Sequence, residues 1–404
     1  MSDKLLKCSR CGRKYPLGQY SCERGDGILE VIRDYSQFSS LEDMKTTEEP
    51  GIWKYSPVLP SPETKITFYE GGTPLVPSSF LGEDLGLDLF LKDEGRNPTG
   101  AFKDRAAAVM LSMELEMGHE QCTTASSGNA AGALALYSAL SEIDCFVFMF
   151  KPSREKLYHT LSYGATVFTV DTEKEEVVHH LTDEAAEEFD WNMLTTTAAA
   201  NPFVIEGYKT IAYEIYEQGG VPDSVFAPVG SGTMLLGIWK GFRELSAAGL
   251  IDDLPRLVAV QPQGCNPIVR AYERGEEEVQ PIDRADTIAT ALALEDPGIN
   301  GDEVLRSIRE TNGAAIAVEE NQVKNLLPTL TREEGVFAEL SGAVGLSGVL
   351  KARQRGMLDE DEKVVAVISG SGFKDMDTVA DQAGKPVEIP PEIEEVQHWI
   401  DSNR

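Results

Sequence analysis

KDEGRNPTGAFKDR, residues 92–105, joins the end of an apolar strand to the start of a helix. Asn97-Pro98 ends the strand, because the residue before a proline is disfavoured in the helical conformation, and Gly100 allows a tight bend. Lys103 then lies in the first turn of an Ala-, Met- and Leu-rich helix that is predicted to run to about Met117. The positive end of the helix dipole lowers the cost of deprotonating this lysine, and a neutral amine is the form that attacks carbonyl carbons.

Read alone, Lys103 is explained better as a solvated surface lysine than as a catalytic one, since most lysines are exposed. The motif NPTGAFKDR resembles the active-site lysine segment of the fold-type-II enzymes that use pyridoxal 5'-phosphate. It is most similar to the threonine synthase family, whose usual form is NPTGSFKDRG, with Ala101 in place of the serine and Ala106 in place of the glycine. The resemblance implies that Lys103 is the catalytic lysine that carries the cofactor, with Phe102 also at the cofactor site.

A glycine-rich turn, Gly230-Ser231-Gly232-Thr233, separates a predicted strand from a predicted helix. Such a turn directs backbone N–H groups and a helix dipole at an anion, although a plain turn would also explain it. Neither a P-loop nor a complete dinucleotide fingerprint is present. In the resemblance, this turn and Met234 hold the cofactor phosphate, and the following Gly237–Phe242 is similar to the family's IWKGF segment.

A second polar turn, Ser126-Ser127-Gly128-Asn129, also precedes a predicted helix. Helix capping alone would account for these residue types. The resemblance to the family's SSGN loop implies that Ser126, Ser127 and Gly128 bind the substrate α-carboxylate and that Asn129 contacts the ring oxygen of the cofactor.

The segment Ser369–Asp375 completes the set of motifs. It is similar to the family's TGHGLKD, with serine replacing both the threonine and the histidine. The resemblance implies that Ser369 hydrogen-bonds the pyridine nitrogen of the cofactor. The similar segments occur in family order across roughly residues 5–378.

Composition limits the alternatives. At 404 residues, with 42% hydrophobic and 25% charged residues, the chain is long enough for two lobes and an appendage. The net charge of −31 argues against nucleic acid and anionic membranes as partners. No apolar run approaches a transmembrane helix, and no signal-peptide pattern is present, so a cytoplasmic protein is predicted.

Alternating strand and helix patterns predict an α/β fold with two lobes, each a mostly parallel sheet with helices on both faces. This is the fold that the fold-type-II resemblance implies, with the cofactor between the lobes. The predicted units are a ribbon-like unit at 1–35, a large cofactor-binding lobe at 36–103 and 205–385, a small mobile lobe at 104–204, and a tail at 386–404.

The N-terminal unit contains a Cys8-x2-Cys11 knuckle and a third thiol at Cys22. Threonine synthase-like proteins often carry a zinc ribbon here that ends in a second cysteine pair. This chain is one cysteine short of the four ligands that structural zinc usually requires. The sequence therefore favours a ribbon without metal, with Cys8, Cys11 and Cys22 as the ligands if zinc is bound.

Substrate recognition departs from the family pattern. Val204 occupies the position where the family has an arginine for the phosphate of O-phosphohomoserine, and Tyr208 replaces a glutamine. Either Arg154, Lys156 or another cation takes over, or the substrate carries no γ-phosphate.

Two enzyme functions stay open on this evidence. One is threonine synthase, and the other is a paralogous ammonia-lyase, dehydratase or β-replacement enzyme acting on serine, threonine, phosphoserine (as a cysteate synthase does) or diaminopropionate. A non-catalytic protein that binds the cofactor is a third reading. A small amino-acid substrate and a homodimer are expected.

Overall fold

Three β-sheets organise the fold, which a computed structural model describes for residues 5–403. The strands are β1 (Leu5–Cys8), β2 (Lys14–Pro16), β3 (Leu29–Val31), β4 (Leu75–Pro77), β5 (Asp88–Asp93), β6 (Gln121–Ala125), β7 (Asp144–Met149), β8 (Thr166–Thr169), β9 (Asn192–Met193), β10 (Ser224–Pro228), β11 (Arg256–Pro262), β12 (Ala314–Val318) and β13 (Lys363–Ile368). The helices are α1 (Ser79–Leu85), α2 (Lys103–Glu116), α3 (Asn129–Ser141), α4 (Arg154–Ser162), α5 (Glu175–Phe189), α6 (Phe203–Tyr208), α7 (Thr210–Gly219), α8 (Thr233–Ala247), α9 (Pro267–Arg274), α10 (Gly298–Glu310), α11 (Glu320–Arg332), α12 (Leu340–Gln354), α13 (Met376–Gln382) and α14 (Ile393–Ser402).

The large sheet has the strand order β12-β11-β10-β13-β5-β4, and every neighbouring pair is parallel except the edge pair β4–β5. Alternate residues of its strands belong to two separate hydrophobic cores. In β10, Val225 and Ala227 pack into one core and Phe226 into the other. Burial on both faces explains why these strands are continuous apolar runs in the sequence.

Helix α12 packs against the large sheet at unusually short range. A Cβ added at Gly348 would lie 2.4 Å from the Val260 side chain, and one at Gly342 would lie 2.9 Å from the Gly370 carbonyl oxygen. Glycines at three-residue spacing, with Gly345 between these two, therefore form the helix face that touches the sheet. Their role is close packing, since glycine otherwise weakens a helix.

The second sheet, with the order β8-β7-β6-β9, is parallel throughout. The third is a small antiparallel sheet of β2, β1 and β3 near the N-terminus. In both parallel sheets the polar motifs of the sequence follow the carboxyl ends of strands, namely β5, β6, β10 and β13. Ligands of open α/β sheets bind at these ends.

These sheets and their helices confirm the predicted fold class. The boundaries of the predicted units stay a prediction, and their residues 1–4 and Arg404 lie outside the described part of the chain. The strand expected at 192–196 ends at Met193, and the helix expected from Val304 begins at Gly298. Sequence patterns missed β12, α6, α7 and α12. No helix within residues 5–403 is long and apolar enough to cross a membrane.

A buried cluster of charges anchors the start of α2. The Arg105 guanidinium donates to Glu94 and to Glu214, at 2.7 Å in both cases, and Lys92 Nζ donates to Glu214 at 2.8 Å. All four side chains are fully buried. Burial alone would raise the pKa of Glu214, but Arg105 and Lys92 hold it well below its usual value.

Replacing Arg105 with methionine should lower the free energy of unfolding by about 3–5 kcal/mol, because two carboxylates would stay buried without their shared cation. Urea denaturation followed by circular dichroism measures this change. Arg96→Met is the matched control: Arg96 pairs with Asp93 at 3.0 Å, but its side chain is 64% exposed, so the loss should stay under about 1 kcal/mol. Equal losses in the two variants would contradict the assignment of Arg105 as an anchor.

Candidate active site

Lys103 begins α2 directly beside the end of β13. The turn before it is tight, with Gly100 at φ +83°, and the Phe102 amide donates a hydrogen bond to the Ser369 carbonyl oxygen at 3.1 Å. Ala101 and Gly370 form an antiparallel bridge next to this bond. The backbone therefore brings together Lys103, Phe102 and Ser369, which the sequence assigns to one cofactor.

The Lys103 amine lies in a partly buried polar and aromatic environment. Its Nζ donates to Thr196 Oγ1 at 2.8 Å and lies 4.7 Å from the centre of the Phe102 ring and 5.8 Å from that of the Tyr208 ring. It forms no ion pair with any carboxylate of residues 5–403. Burial lowers the pKa of Lys103 to about 8, so a substantial fraction of the amine is neutral near neutral pH.

The Ser126–Asn129 turn follows β6 and starts α3. Ser127 Oγ is already engaged, because it both donates to the Phe150 carbonyl and accepts from the Phe150 amide at 2.7 Å. Ser126 Oγ accepts from the Gly128 amide at 3.3 Å and keeps its own proton to donate. An anion at this turn would thus meet the Ser126 hydroxyl and backbone N–H groups at a helix N-terminus.

Asn129 is buried at the start of α3 and lies close to the end of β13. Its Nδ2 donates to Glu339 Oε1 at 2.8 Å, whereas its buried Oδ1 has no hydrogen-bond partner among the described residues. A Cβ placed at Gly370 would lie 3.4 Å from Asn129 Nδ2. An unpartnered buried polar atom is costly, and Gly370, which Asn129 approaches, directly follows Ser369 in the chain.

The Gly230–Thr233 turn leads from β10 into α8. Gly232 has φ +84°, and a Cβ there would lie 2.2 Å from the Val304 side chain, so only glycine fits. Ser231 Oγ lies 3.1 Å from Thr233 Oγ1, and Asn300 Nδ2 donates to Thr233 Oγ1 at 3.3 Å. The buried Met234 follows in the first turn of the helix. The turn has the geometry of an anion cradle at a helix N-terminus.

Residues 66–370 match the family model described as pyridoxal-phosphate dependent enzyme. The chain belongs to this family. It is 36% identical to threonine synthase of Methanocaldococcus jannaschii over 95% of this chain and 96% of the relative. It is 34% identical to threonine synthase of Methanosarcina acetivorans over 98% of both chains.

Solved structures share the fold. Threonine deaminase isoform 2 from Solanum lycopersicum superposes with a TM-score of 0.67 at 22% identity, over 77% of this chain and 87% of that chain. Diaminopropionate ammonia lyase from Escherichia coli gives a TM-score of 0.67 at 19% identity, over 78% and 88% of the two chains. These likenesses bear on the fold alone.

Pyridoxal phosphate, the cofactor of this family, fits the residues present. The neutral fraction of the Lys103 amine suits bonding to its aldehyde, and the Gly230–Thr233 turn suits its phosphate. Asn129 Oδ1 and the Ser369 hydroxyl form no hydrogen bond with any described residue, so both are available to a bound cofactor. The role of each of these residues stays a prediction.

Several residues at the site were not predicted from the sequence. Thr196, the hydrogen-bond partner of Lys103, lies in a run of three threonines just after β9, and that polar run at a strand end is the signal that could have identified it. Glu339 and Lys374 carry charge next to Asn129 and α3. Lys374 lies within the Ser369–Asp375 motif, but the sequence assigned no role to it or to Glu339, because their contacts form between distant segments.

Cations near the site come from α4 and from the segment after β13. Lys156, on α4, acts electrostatically on the buried Glu339: burial raises the pKa of Glu339, and the Lys156 ammonium opposes this. Lys374 is 7% exposed, and its Nζ lies 3.1 Å from His159 Nδ1. Burial lowers the pKa of Lys374 to about 8. Lys374 and His159 line a cavity that also includes Arg96 and Gly100, whereas Lys156 does not line it.

Val204 contributes no charge at this site, because α6 is buried and the Val204 side chain lies fully inside the hydrophobic core. The three predicted metal ligands, Cys8, Cys11 and Cys22, lie together in the N-terminal unit, apart from the cofactor residues.

The cofactor-free protein should capture pyridoxal phosphate at a rate that rises about tenfold per pH unit below pH 8 and levels off above it. The reason is that the neutral amine reacts and the pKa of Lys103 is about 8. Stopped-flow measurement of the visible absorbance gives this rate. The reference is lysine acetylated on its α-amine, with the side-chain amine free. Its rate should continue to rise towards pH 10.5, the ordinary pKa of the lysine side chain.

Lys103→Ala is the specificity control for this experiment; after mixing it should show only the absorbance of free pyridoxal phosphate, and it should be colourless after gel filtration. A variant as yellow as the wild-type protein would refute Lys103 as the residue that carries the cofactor.

Proposed function

We propose that this protein is a threonine synthase, which converts O-phosphohomoserine and water into threonine and phosphate. One observation carries the proposal: the similarity to an archaeal threonine synthase extends over 98% of both chains. It therefore includes the N-terminal unit and the tail, in addition to the region that the family model covers at residues 66–370. A shared cofactor alone would not require similarity in those additional segments.

Bound pyridoxal phosphate supplies an electron sink that makes the α-proton of an attached amino acid acidic. We assign removal of that proton to Lys103 Nζ, because burial lowers the pKa of this amine to about 8 and no carboxylate of the described chain pairs with it. Thr196 Oγ1 accepts from Nζ at 2.8 Å and holds the amine in one orientation. A base whose pKa lies near the working pH transfers protons efficiently in both directions.

The Ser126–Gly128 turn is proposed to bind the substrate α-carboxylate. Because Ser127 Oγ is engaged with Phe150, the donors assigned here are the Ser126 hydroxyl and the backbone N–H groups at the start of α3. Asn129 is assigned to the ring oxygen and Ser369 to the ring nitrogen of the cofactor. The Gly230–Thr233 turn and the start of α8 are assigned to the cofactor phosphate.

The phosphate of the substrate needs a cation, and Val204 supplies none. Lys156 is the candidate that the sequence names and the electrostatics support, since its ammonium acts on Glu339, the partner of Asn129. Charged hydrogen bonds to phosphate are strong enough for a lysine to replace part of an arginine's contribution. Lysine binds as a point charge without the bidentate geometry, so a different phosphate orientation is expected.

A second candidate function is favoured by Val204 itself. A paralogous lyase, dehydratase or β-replacement enzyme acting on serine, threonine, phosphoserine or diaminopropionate would not need the arginine that this position lacks. The overall similarity to threonine synthases makes it the weaker candidate.

We also propose a cytoplasmic homodimer. The ordinary globular composition and the net charge of −31 support a freely diffusing enzyme. Light scattering coupled to gel filtration would give the mass of the assembly.

The purified protein should release phosphate from O-phosphohomoserine and form threonine in equal amounts, and Lys103→Ala should lose at least about four orders of magnitude in rate. Phosphate is measured colorimetrically and threonine by chromatography in the same sample. If neither product forms while the cofactor spectrum responds to serine or diaminopropionate, the second candidate replaces the first.

Lys156→Ala should raise the KM for O-phosphohomoserine about tenfold to a hundredfold, which corresponds to the loss of one charged hydrogen bond. Lys151→Ala provides the control, because Lys151 is 55% exposed and pairs with Glu173 at 2.6 Å. An unchanged KM in the Lys156 variant would assign the substrate phosphate to another cation, Lys374 being the next to test.

A further inference from the structure

A cavity of about 450 Å³ lies beside the candidate active site. Its wall is formed by α4, by the segment that follows β5 and by the segment that follows β13. None of its lining residues is assigned to the cofactor or to the substrate α-carboxylate. The volume is within the range of small-molecule sites, so the cavity can hold a ligand of its own.

Lys374 supplies a buried cation to this cavity. Its Nζ forms one hydrogen bond within residues 5–403, to His159 Nδ1 at 3.1 Å. No carboxylate of the same residues lies within 4.0 Å of Nζ. Burial lowers the pKa of Lys374, and the more distant Asp104 and Glu339 oppose this only in part. A buried ammonium without a paired anion is costly, so a carboxylate bound in the cavity would stabilise it.

Donors at this part of the wall are available to a ligand. Neutral His159 accepts one N–H of the Lys374 ammonium, which leaves two others. Thr99 is 3% exposed and lines the same cavity, and its Oγ1 has no hydrogen-bond partner within residues 5–403. The next residue, Gly100, lies against Lys374, since a Cβ there would be 3.3 Å from Lys374 Cε. An unpaired ammonium and an unpartnered hydroxyl suit the two oxygens of a carboxylate.

A free carboxylate in the same wall comes from α4. Glu155 lines the cavity and forms no ion pair or side-chain hydrogen bond with any described residue. The other acidic side chain of the wall, Asp93, is already engaged: its Oδ2 accepts from Arg96 Nε at 3.0 Å, and its Oδ1 accepts from the Gly95 amide at 3.1 Å. Asp93 and Arg96 neutralise each other. The charges that remain, Lys374 and Glu155, match a ligand that carries one charge of each sign.

Two phenyl rings complete the wall. The ring centres of Phe337 and Phe373 are 4.9 Å apart, and the ring planes meet at 74°. Phe373 is 70% exposed, so much of its surface is available to a ligand. Ligand sites are lined largely by apolar and aromatic side chains, and covering apolar surface is favourable. A short apolar side chain on the ligand would cover part of these rings.

We propose that this cavity binds a free α-amino acid with a short side chain, at a site separate from the reaction centre. Lys374 and Thr99 bind its carboxylate, Glu155 binds its ammonium group, and the two phenyl rings contact its side chain. Gly100 also lines the cavity, so the bound amino acid rests against the turn that leads to Lys103. The site does not depend on which reaction the enzyme catalyses.

The test titrates the full-length holoenzyme with L-isoleucine and L-threonine by isothermal calorimetry. At least one of them should bind with a Kd of about 1 mM or tighter, and the visible absorbance of the cofactor should stay unchanged. The tighter of the two shows whether the side-chain contact is apolar or polar. For isoleucine, 3-methylpentanoic acid lacks the ammonium group and 2-methylbutylamine lacks the carboxylate. Each should bind at least about tenfold more weakly than isoleucine, since one charged hydrogen bond is lost.

Glu155→Gln and Phe373→Ala should each weaken binding about tenfold and leave the cofactor spectrum unchanged. Lys374→Met should abolish measurable binding; if this variant does not fold, the first two decide the question. Phe80→Ala is the matched control for Phe373→Ala, because Phe80 is 51% exposed on α1, outside this cavity, and its loss should not change the Kd. The proposal is overturned if neither amino acid binds the holoenzyme. It is also overturned if binding changes the cofactor absorbance and is insensitive to Glu155→Gln and Phe373→Ala, which would place the ligand at the reaction centre.

Discussion

The buried ion cluster around Arg105 is the constraint on which the candidate active site depends. Arg105 lies two residues after Lys103 on α2 and pairs with Glu94, beyond the end of β5, and with Glu214, on α7. It also donates to Thr73 at 3.0 Å. Removing Arg105 would leave Glu94 buried without a cation and would leave Glu214 with Lys92 alone. The first turn of α2, and with it the Lys103 amine, is therefore held in one position relative to the large sheet.

Two lysines close to this cluster have opposite electrostatic environments. Lys92 is buried with a carboxylate at 2.8 Å and serves as a fixed charge. Lys103 has a hydroxyl as its hydrogen-bond partner and aromatic rings as neighbours, so burial acts without compensation and its pKa falls to about 8. Both lysines are buried, so the difference lies in the hydrogen-bond partner. A carboxylate keeps Lys92 charged, whereas a neutral hydroxyl lets Lys103 lose its proton and act as a nucleophile and base.

Much of this arrangement follows from the sequence, because the polar motifs lie at the ends of apolar runs and parallel strands bring their carboxyl ends to one edge. The runs ending before Ser126, Gly230 and Ser369 were read correctly as strands, and each motif follows the carboxyl end of its strand in the structure. Element type was missed where burial is complete on every side. Helix α12 has no apolar periodicity, and its glycines are more typical of turns. In the structure these glycines allow the helix to pack closely against Val260.

Contacts between distant segments could not be predicted from sequence patterns, because a pattern describes neighbours along the chain only. Thr196, Glu339 and Lys374 act through partners far away in the chain, and their residue types are common on any surface. The same limit applies to the three cysteines. A count of ligands could not show that the three sulfurs lie within 4.8 Å of one another, because their convergence is a property of the folded backbone.

A cavity lies between α4 and the segments that follow β5 and β13. Val204 lies in the core and adds no charge to it. Lys156, on α4, and Lys374, after β13, are cations of these elements, and His159 of α4 contacts Lys374. Burial and the Lys374 ammonium lower the pKa of His159 to about 4, so His159 is neutral and accepts from Lys374 across this boundary. Lys374 has no carboxylate within ion-pairing distance among the described residues, and a buried ammonium in that state is stabilised by any anion bound beside it. An anionic group between α4 and this segment would therefore stabilise both the buried Lys374 ammonium and the contact between Lys374 and His159.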